Sequence, residues 1–276
     1  MRRHHFLLAA LALAIGGTAC RAQEGEAHGS GAYVPDRALA LTTAASAGAA
    51  SATRGSAVAR VRWRGKTYDA VEALPLLVRV VCDPAATTPQ RNAASEKLRR
   101  VMGLPEASAY VGRLMGAYLR EDGSDVQYGI LMCLARSNDR VVLGFLDHVN
   151  RNTDDPVRQL LAAGGLARWN ARSGVRRLID LLDARSRLPQ RPVGDEALIK
   201  LMHLTKRKDW GFPAETLRSE LAGCDSTTAS RIARQRWRAW FAENEWRFPV
   251  VPPKLQADWR KAAGLAPSRR TRRPGA

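Results

Sequence analysis

From Asp69 to Asn244 the large apolar residues return at intervals of three and four. Leu77, Val80 and Val81 are followed by Leu114, Met115, Tyr118 and Leu119, then by Leu143, Leu146 and Val149, and then by Leu178, Ile179 and Leu182. That spacing puts one apolar stripe on each of a series of amphipathic helices. Between the stripes lie breaks built from turn and cap residues: Asp83-Pro84, Glu121-Asp122-Gly123, Asn152 to Pro156, and Leu188-Pro189 with Arg191-Pro192. Upstream, Arg60, Arg62 and Arg64 alternate with Val61 and Trp63, a period of two that predicts a short edge ribbon or extended lead-in over 58–68.

Four helical stretches overlay. They start at Val71, Ala107, Asp139 and Ala171, with spacings of roughly 36, 32 and 32 residues, a period in the range of repeat architectures. Each has the same plan of apolar helix, polar break and second helix. An irregular bundle of short helices is the competing arrangement.

In the third unit, Asp154-Asp155-Pro156-Val157-Arg158 and the Ala/Gly-rich run to Leu166 resemble the second helix of HEAT and HEAT-like (PBS-lyase type) repeats. Its local logic is that an Asp caps the helix, Pro156 suits its first turn, and small residues let neighbouring helices approach. Further on, Leu204-Thr205, Trp210-Gly211-Phe212 and Trp237-Arg238-Ala239-Trp240-Phe241 resemble the closing segment of bacterial exported HEAT-repeat proteins. The first two units match only the apolar spacing. The resemblance implies an all-α fold, a right-handed α-solenoid of about four HEAT-like helix pairs with a closing Trp-rich helix, over 69–247. It also implies a non-catalytic surface for a protein partner; bilin chemistry is not implied.

Both ends differ in composition from this middle. Arg2 and Arg3 precede the apolar run Phe6 to Ile15 and then small residues up to Ala19, so 1–19 has the plan of a signal peptide. Such a run is too short to span a bilayer, which takes about 20 apolar residues. Gly17-Thr18-Ala19-Cys20 resembles the lipobox of bacterial lipoproteins, with Gly17 where Leu, Val or Ile is usual. Lipidation of Cys20 and plain secretion with cleavage near Ala19 or Ala22 both stay open. The expected location is therefore the periplasm, or the membrane through a lipid on Cys20. Residues 20–57 are mostly Ala, Gly, Ser and Thr, too poor in large apolar groups to offset ordering entropy, and read as a flexible tether. Residues 248–276, with Pro249, Pro252, Pro253, Pro267 and Pro274 among basic side chains, read as a disordered tail.

Charge narrows the choice of partner. Lys and Arg number 44 against 26 Asp and Glu, a formal net charge of +18, so an acidic protein, an anionic lipid surface or a polyanion is attracted. A third of that excess lies from Lys254 onward. Arg158, Arg172, Arg176 and Arg177 are candidate contacts to an acidic partner, against the alternative of a solvated helix face. Trp237 and Trp240 share a helix face with Phe241, either as an apolar seal of the last repeat or as an exposed platform for glycan or peptide. A basic helical array can also hold a nucleic-acid duplex by phosphate contacts alone, and the export signal argues against that alternative.

No constellation of catalytic, cofactor-binding or metal-ligating residues is predicted. Cys20, Cys82, Cys133 and Cys224 lack C-x-x-C or Cys/His spacing, and Cys82 and Cys133 fall in apolar helical runs. His148 and His203 lie in different units without a ligand-spaced partner. Phosphate-binding glycine loops and Ser or Lys nucleophile motifs are missing as well.

Overall fold

A computed structural model describes residues 60–265 apart from 187, 189, 190 and 209. The expected signal peptide, Cys20 and the tether lie outside the described residues. Within them the protein is all-α except for one two-stranded sheet.

That sheet is a hairpin at the place of the expected lead-in. Strands β1 (Arg60–Trp63) and β2 (Lys66–Asp69) pair antiparallel with Arg60 opposite Asp69. The two-residue turn needs positive φ at both positions, and Arg64 (φ 49) and Gly65 (φ 79) adopt it. Asp69 then starts helix α1 (Ala70–Val81) by a capping box: Val71 N–H donates to Asp69 Oδ1 at 3.0 Å, and Asp69 N–H to Glu72 Oε2 at 3.4 Å.

The helices that follow fall in pairs: α1 with α2 (Thr88–Val101), α3 (Ser108–Arg120) with α4 (Ser124–Leu134), α5 (Val141–Asn152) with α6 (Pro156–Arg168), and α7 (Arg172–Asp180) with α8 (Val193–Lys208). First helices begin at Ala70, Ser108, Val141 and Arg172, each within two residues of the unit starts predicted from the apolar spacing. Helices α2, α4, α6 and α8 lie side by side in sequence order, each packed on the next. Among the described residues the chain continues through α9 (Ala214–Leu221) and α10 (Ser226–Asn244) to α11 (Pro253–Ala262).

Helix α6 joins two apolar cores. Ala162 and Leu166 belong to the core formed with α1–α5, whereas Leu160, Ala163 and Ala167 belong to the one formed with α7–α10. Its capping follows the sequence pattern, with Asp155 Oδ1 accepting from Val157 N–H at 2.8 Å and Pro156 in the first turn. Close approach on both sides depends on glycine. A Cβ on Gly165 would lie 2.7 Å from Leu146 Cδ1, and one on Gly174 of α7 would lie 2.5 Å from Leu166 Cβ.

The disordered tail expected over 248–276 is corrected for its first part. Phe248 and Val251 are buried, and α11 packs back across α5 and α3 with Trp259 only 1% exposed. Pro253 sits at the start of α11, where a missing N–H costs nothing, so the proline pair that suggested disorder starts a helix instead. Glycines on the receiving helices make room. Cβ atoms on Gly112 and Gly144 would collide with the carbonyls of Ala262 and Leu255, and the latter would also lie 2.8 Å from Trp259 Cδ1.

The described cysteines are free thiols. Cys133 is fully buried with Sγ 3.3 Å from the Ser95 carbonyl, and burial pushes its thiol far above the ordinary range. Cys82 is half-buried and shifted the same way for the same reason. Among the described residues, no helix is long and apolar enough to cross a membrane.

Candidate functional site: an arginine-lined groove along α7

Helix α7 reads Arg-Ser-Gly-Val-Arg-Arg-Leu-Ile-Asp. Val175, Leu178 and Ile179 turn inward and are buried, which leaves Arg172, Arg176 and Asp180, spaced by four, on one outward stripe with Arg177 beside it. One flank is formed by the end of α5, through Asn150 and Arg151, together with Val250 and Val251. The other is formed by the last turns of α10, through Arg238, Phe241 and Ala242, with Glu245 just beyond them. Two hollows of about 300 and 330 Å³ result, one on each flank of the stripe, and Arg176 and Asp180 line both, so the two are taken together as the α7 groove.

Five arginines line it, Arg151, Arg172, Arg176, Arg177 and Arg238, against Asp180 and Glu245. Arg172 is held by its backbone and side chain: its N–H donates to the Pro249 carbonyl at 2.9 Å and Nε to the Phe248 carbonyl at 3.1 Å. Arg177 donates to the Asn150 carbonyl at 3.2 Å. Arg176 pairs with Glu245 at 2.6 Å and lies 5.9 Å over the Phe241 ring, while Arg238 pairs with Asp180 at 3.4 Å. These last two pairs are solvated. Arg176 and Arg238 keep 60% and 54% of their side chains exposed, so each pair is worth about 0–1 kcal/mol and an incoming carboxylate can replace the internal one.

Beneath the groove lies Asp147, fully buried. Its carboxylate accepts from Ser173 Oγ and Gln256 Nε2, both at 2.7 Å, and pairs with Arg151 at 2.7 Å. One side chain thereby connects α5, α7 and α11. Asn150, 3% exposed, also lines the groove, and its Oδ1 has no hydrogen-bond partner.

Of the arginines singled out in the sequence, Arg172, Arg176 and Arg177 meet here and Arg158 does not. Arg158 pairs with Asp155 at 3.2 Å and lies 5.7 Å over the Tyr128 ring, whose hydroxyl donates to Asp155 at 2.6 Å. It braces α4 against the start of α6. Burial, with the Asp155 carboxylate beside it, raises the Tyr128 pKa.

The exposed-platform alternative for Trp237 and Trp240 is corrected. Trp237 is fully buried, stacked on Phe212 with ring centroids 3.6 Å apart, and Trp240 is 9% exposed, edge-on to both of those rings. Both therefore act as the apolar seal. The tryptophan that does face solvent is Trp246, 72% exposed, one residue beyond Glu245.

As for chemistry, the Ser173 hydroxyl is committed to Asp147, and neither histidine serves it. His148 packs on Trp259 with centroids 5.0 Å apart and meets Asn152 at 3.0 Å; His203 faces Arg207. Among the described residues, no cluster of three His, Cys, Asp or Glu side chains could hold a metal ion. The groove can bind and orient an anion.

Burial, helped by Arg260, lowers the His148 pKa below its ordinary value, and burial with neighbouring cations lowers that of His203. The unfolded chain therefore takes up these protons first, near pH 6.5, so stability falls as pH drops through that value and levels off below the folded pKa values. Urea midpoints measured at pH 7.5 and at pH 5.5 are expected to differ in that direction, and His148→Gln is expected to reduce the difference without removing the His203 part. An unchanged pH dependence in that variant would mean His148 is solvated.

No family model matches the chain, and no curated protein and no solved structure matches it.

Proposed function

We propose that the chain is a non-catalytic protein-binding scaffold of the bacterial cell envelope, a right-handed HEAT-like α-solenoid that takes an acidic protein partner on the groove along α7. The groove carries this reading. It gathers five arginines around two loosely paired acids in hollows of about 300 and 330 Å³. The side-by-side row α2, α4, α6 and α8 supports the solenoid. The leader-like residues before Cys20 support export, with Cys20 as a lipid anchor or a position just past cleavage.

Reversing Arg176 and Arg238 to Glu in the full chain is expected to abolish crosslinking to envelope proteins. The melting temperature should hardly move, because both side chains are more than half exposed. Binding by the unaltered chain should weaken with salt yet discriminate among equally acidic competitors. Retention of any DNA duplex, with affinity falling linearly on a log–log salt plot and no such discrimination, would replace this reading by nucleic-acid binding. Cys20→Ser should release a lipid-anchored chain from membranes.

A further inference from the structure

Resting on that reading, we propose that the groove recognises one linear pattern: an extended segment with acidic side chains two residues apart and an apolar residue beside them. The spacing comes from the stripe on α7. Arg172 and Arg176 are one helical turn apart, about 6 Å along the axis. In an extended peptide, residues i and i+2 point the same way and stand about 6.6 Å apart. Two carboxylates at that spacing meet two arginines at theirs, whereas adjacent acids point to opposite sides.

The groove also holds a contact that charge alone does not use. Asn150 is 3% exposed, and its Oδ1 is an unpartnered acceptor beside the arginines. That oxygen is closed off from solvent as it stands; leaving a buried acceptor unmade is costly, so a turn of the Asn150 side chain that lets the backbone N–H of an extended peptide reach it is favoured on binding. Neither a phosphodiester nor a fully ionised carboxylate offers such a donor. An apolar anchor is present as well. Val250, 58% exposed, lines the groove, and Trp246 is 72% exposed in the same segment. Exposed Trp and Arg together are the residue types that dominate binding energy at protein interfaces. On binding, the ligand carboxylates take Arg172 and Arg176, and Glu245 gives up its pair with Arg176 to water.

Fluorescence anisotropy on the full chain at physiological salt tests this with three dye-labelled peptides and a DNA duplex. The first peptide alternates Glu with Thr and ends in Leu; the second has the same composition with its Glu residues consecutive in pairs, each pair set apart by two Thr so that no two acids stand at i and i+2; the third, all Thr with a terminal Leu, should not bind, and its binding would show that charge is not read. The alternating peptide is expected to bind about tenfold more tightly than the consecutive one, and Arg176→Gln should remove about that factor, the worth of one charge-assisted pair. Asn150→Leu should weaken the alternating peptide severalfold, with circular dichroism and melting temperature showing that each variant is folded. Equal affinity for the alternating and consecutive peptides overturns the proposal, as does tighter binding of the duplex. If the alternating peptide fails but crosslinking to envelope proteins still depends on Arg176 and Arg238, only the pattern is wrong. Loss of both results removes the scaffold reading too.

Discussion

Trp259→Ala is expected to lower the free energy of unfolding by about 3–5 kcal/mol, the usual cost of truncating a buried tryptophan. Trp259 is 1% exposed and stands edge-on to Phe145, with centroids 5.4 Å apart and rings at 72°. The space it vacates cannot be refilled by sliding α11 inward, because the helix already rests on the backbone of Gly144 and Gly112. In a chain of this size that loss amounts to a fall in melting temperature on the order of 10 °C. Trp246→Ala, which removes a tryptophan that is 72% exposed, is expected to stay within about 0.5 kcal/mol. Denaturant titration of the two variants measures the contrast, and equal midpoints would mean that α11 is not docked.

The second large effect is expected at Asp147. Its carboxylate accepts from Ser173, Gln256 and Arg151, and hydrogen bonds to a charged group are worth about 1.5–3 kcal/mol each when counted singly. Asp147→Ala should nonetheless cost about 3 kcal/mol rather than the full sum. Arg151 is 60% exposed and recovers its hydration, so only Ser173 and Gln256 are left with unsatisfied donors. Asp147→Asn keeps an acceptor in place and should cost less. Asp147 and Trp259 both hold α11, so the double variant should lose less than the two single losses added together. Full additivity in denaturant titrations would show that the two contacts act independently.

Helix positions were legible because the signal is local. An apolar residue at every third or fourth place marks α1, α3, α5 and α7, and the Asp83-Pro84, Asp122-Gly123 and Asp155-Pro156 breaks stand at or just before the starts of α2, α4 and α6, all without knowledge of their neighbours. The groove was legible only in part. Arg172, Arg176 and Arg177 stand out as basic residues on an amphipathic helix, but whether such a residue faces a hollow or a brace depends on what packs beside it. Arg158 looks the same in sequence and is held by Asp155 and Tyr128 instead. Asn150 and Arg151 sit at the end of a helix that begins apolar and gain their role only when Val250 and Val251 return alongside.

The last helix escaped because composition outweighed period. Its Lys, Arg and Pro content suggests disorder, yet Leu255 and Trp259 are four apart, the beginning of an apolar stripe. A second signal was present far upstream. Gly112 and Gly116 fall four apart inside α3, and Gly144 lies inside α5, where glycine weakens a helix unless a neighbouring backbone needs the room. The ridge they receive is more than a hundred residues away in the chain, which no local pattern announces.

That return changes how the molecule is made and unmade. Arrays of stacked helix pairs exchange contacts only with their neighbours, so they can nucleate anywhere and unravel from either end. Here the bond from Gln256 to Asp147 closes a loop of 109 residues around the middle of the chain. The first half cannot reach its final packing until nearly the whole polypeptide has been synthesised, and such distant closure slows folding. Once closed, the two cores are expected to melt in a single transition, and fraying of α11 would loosen α3 and α5 first.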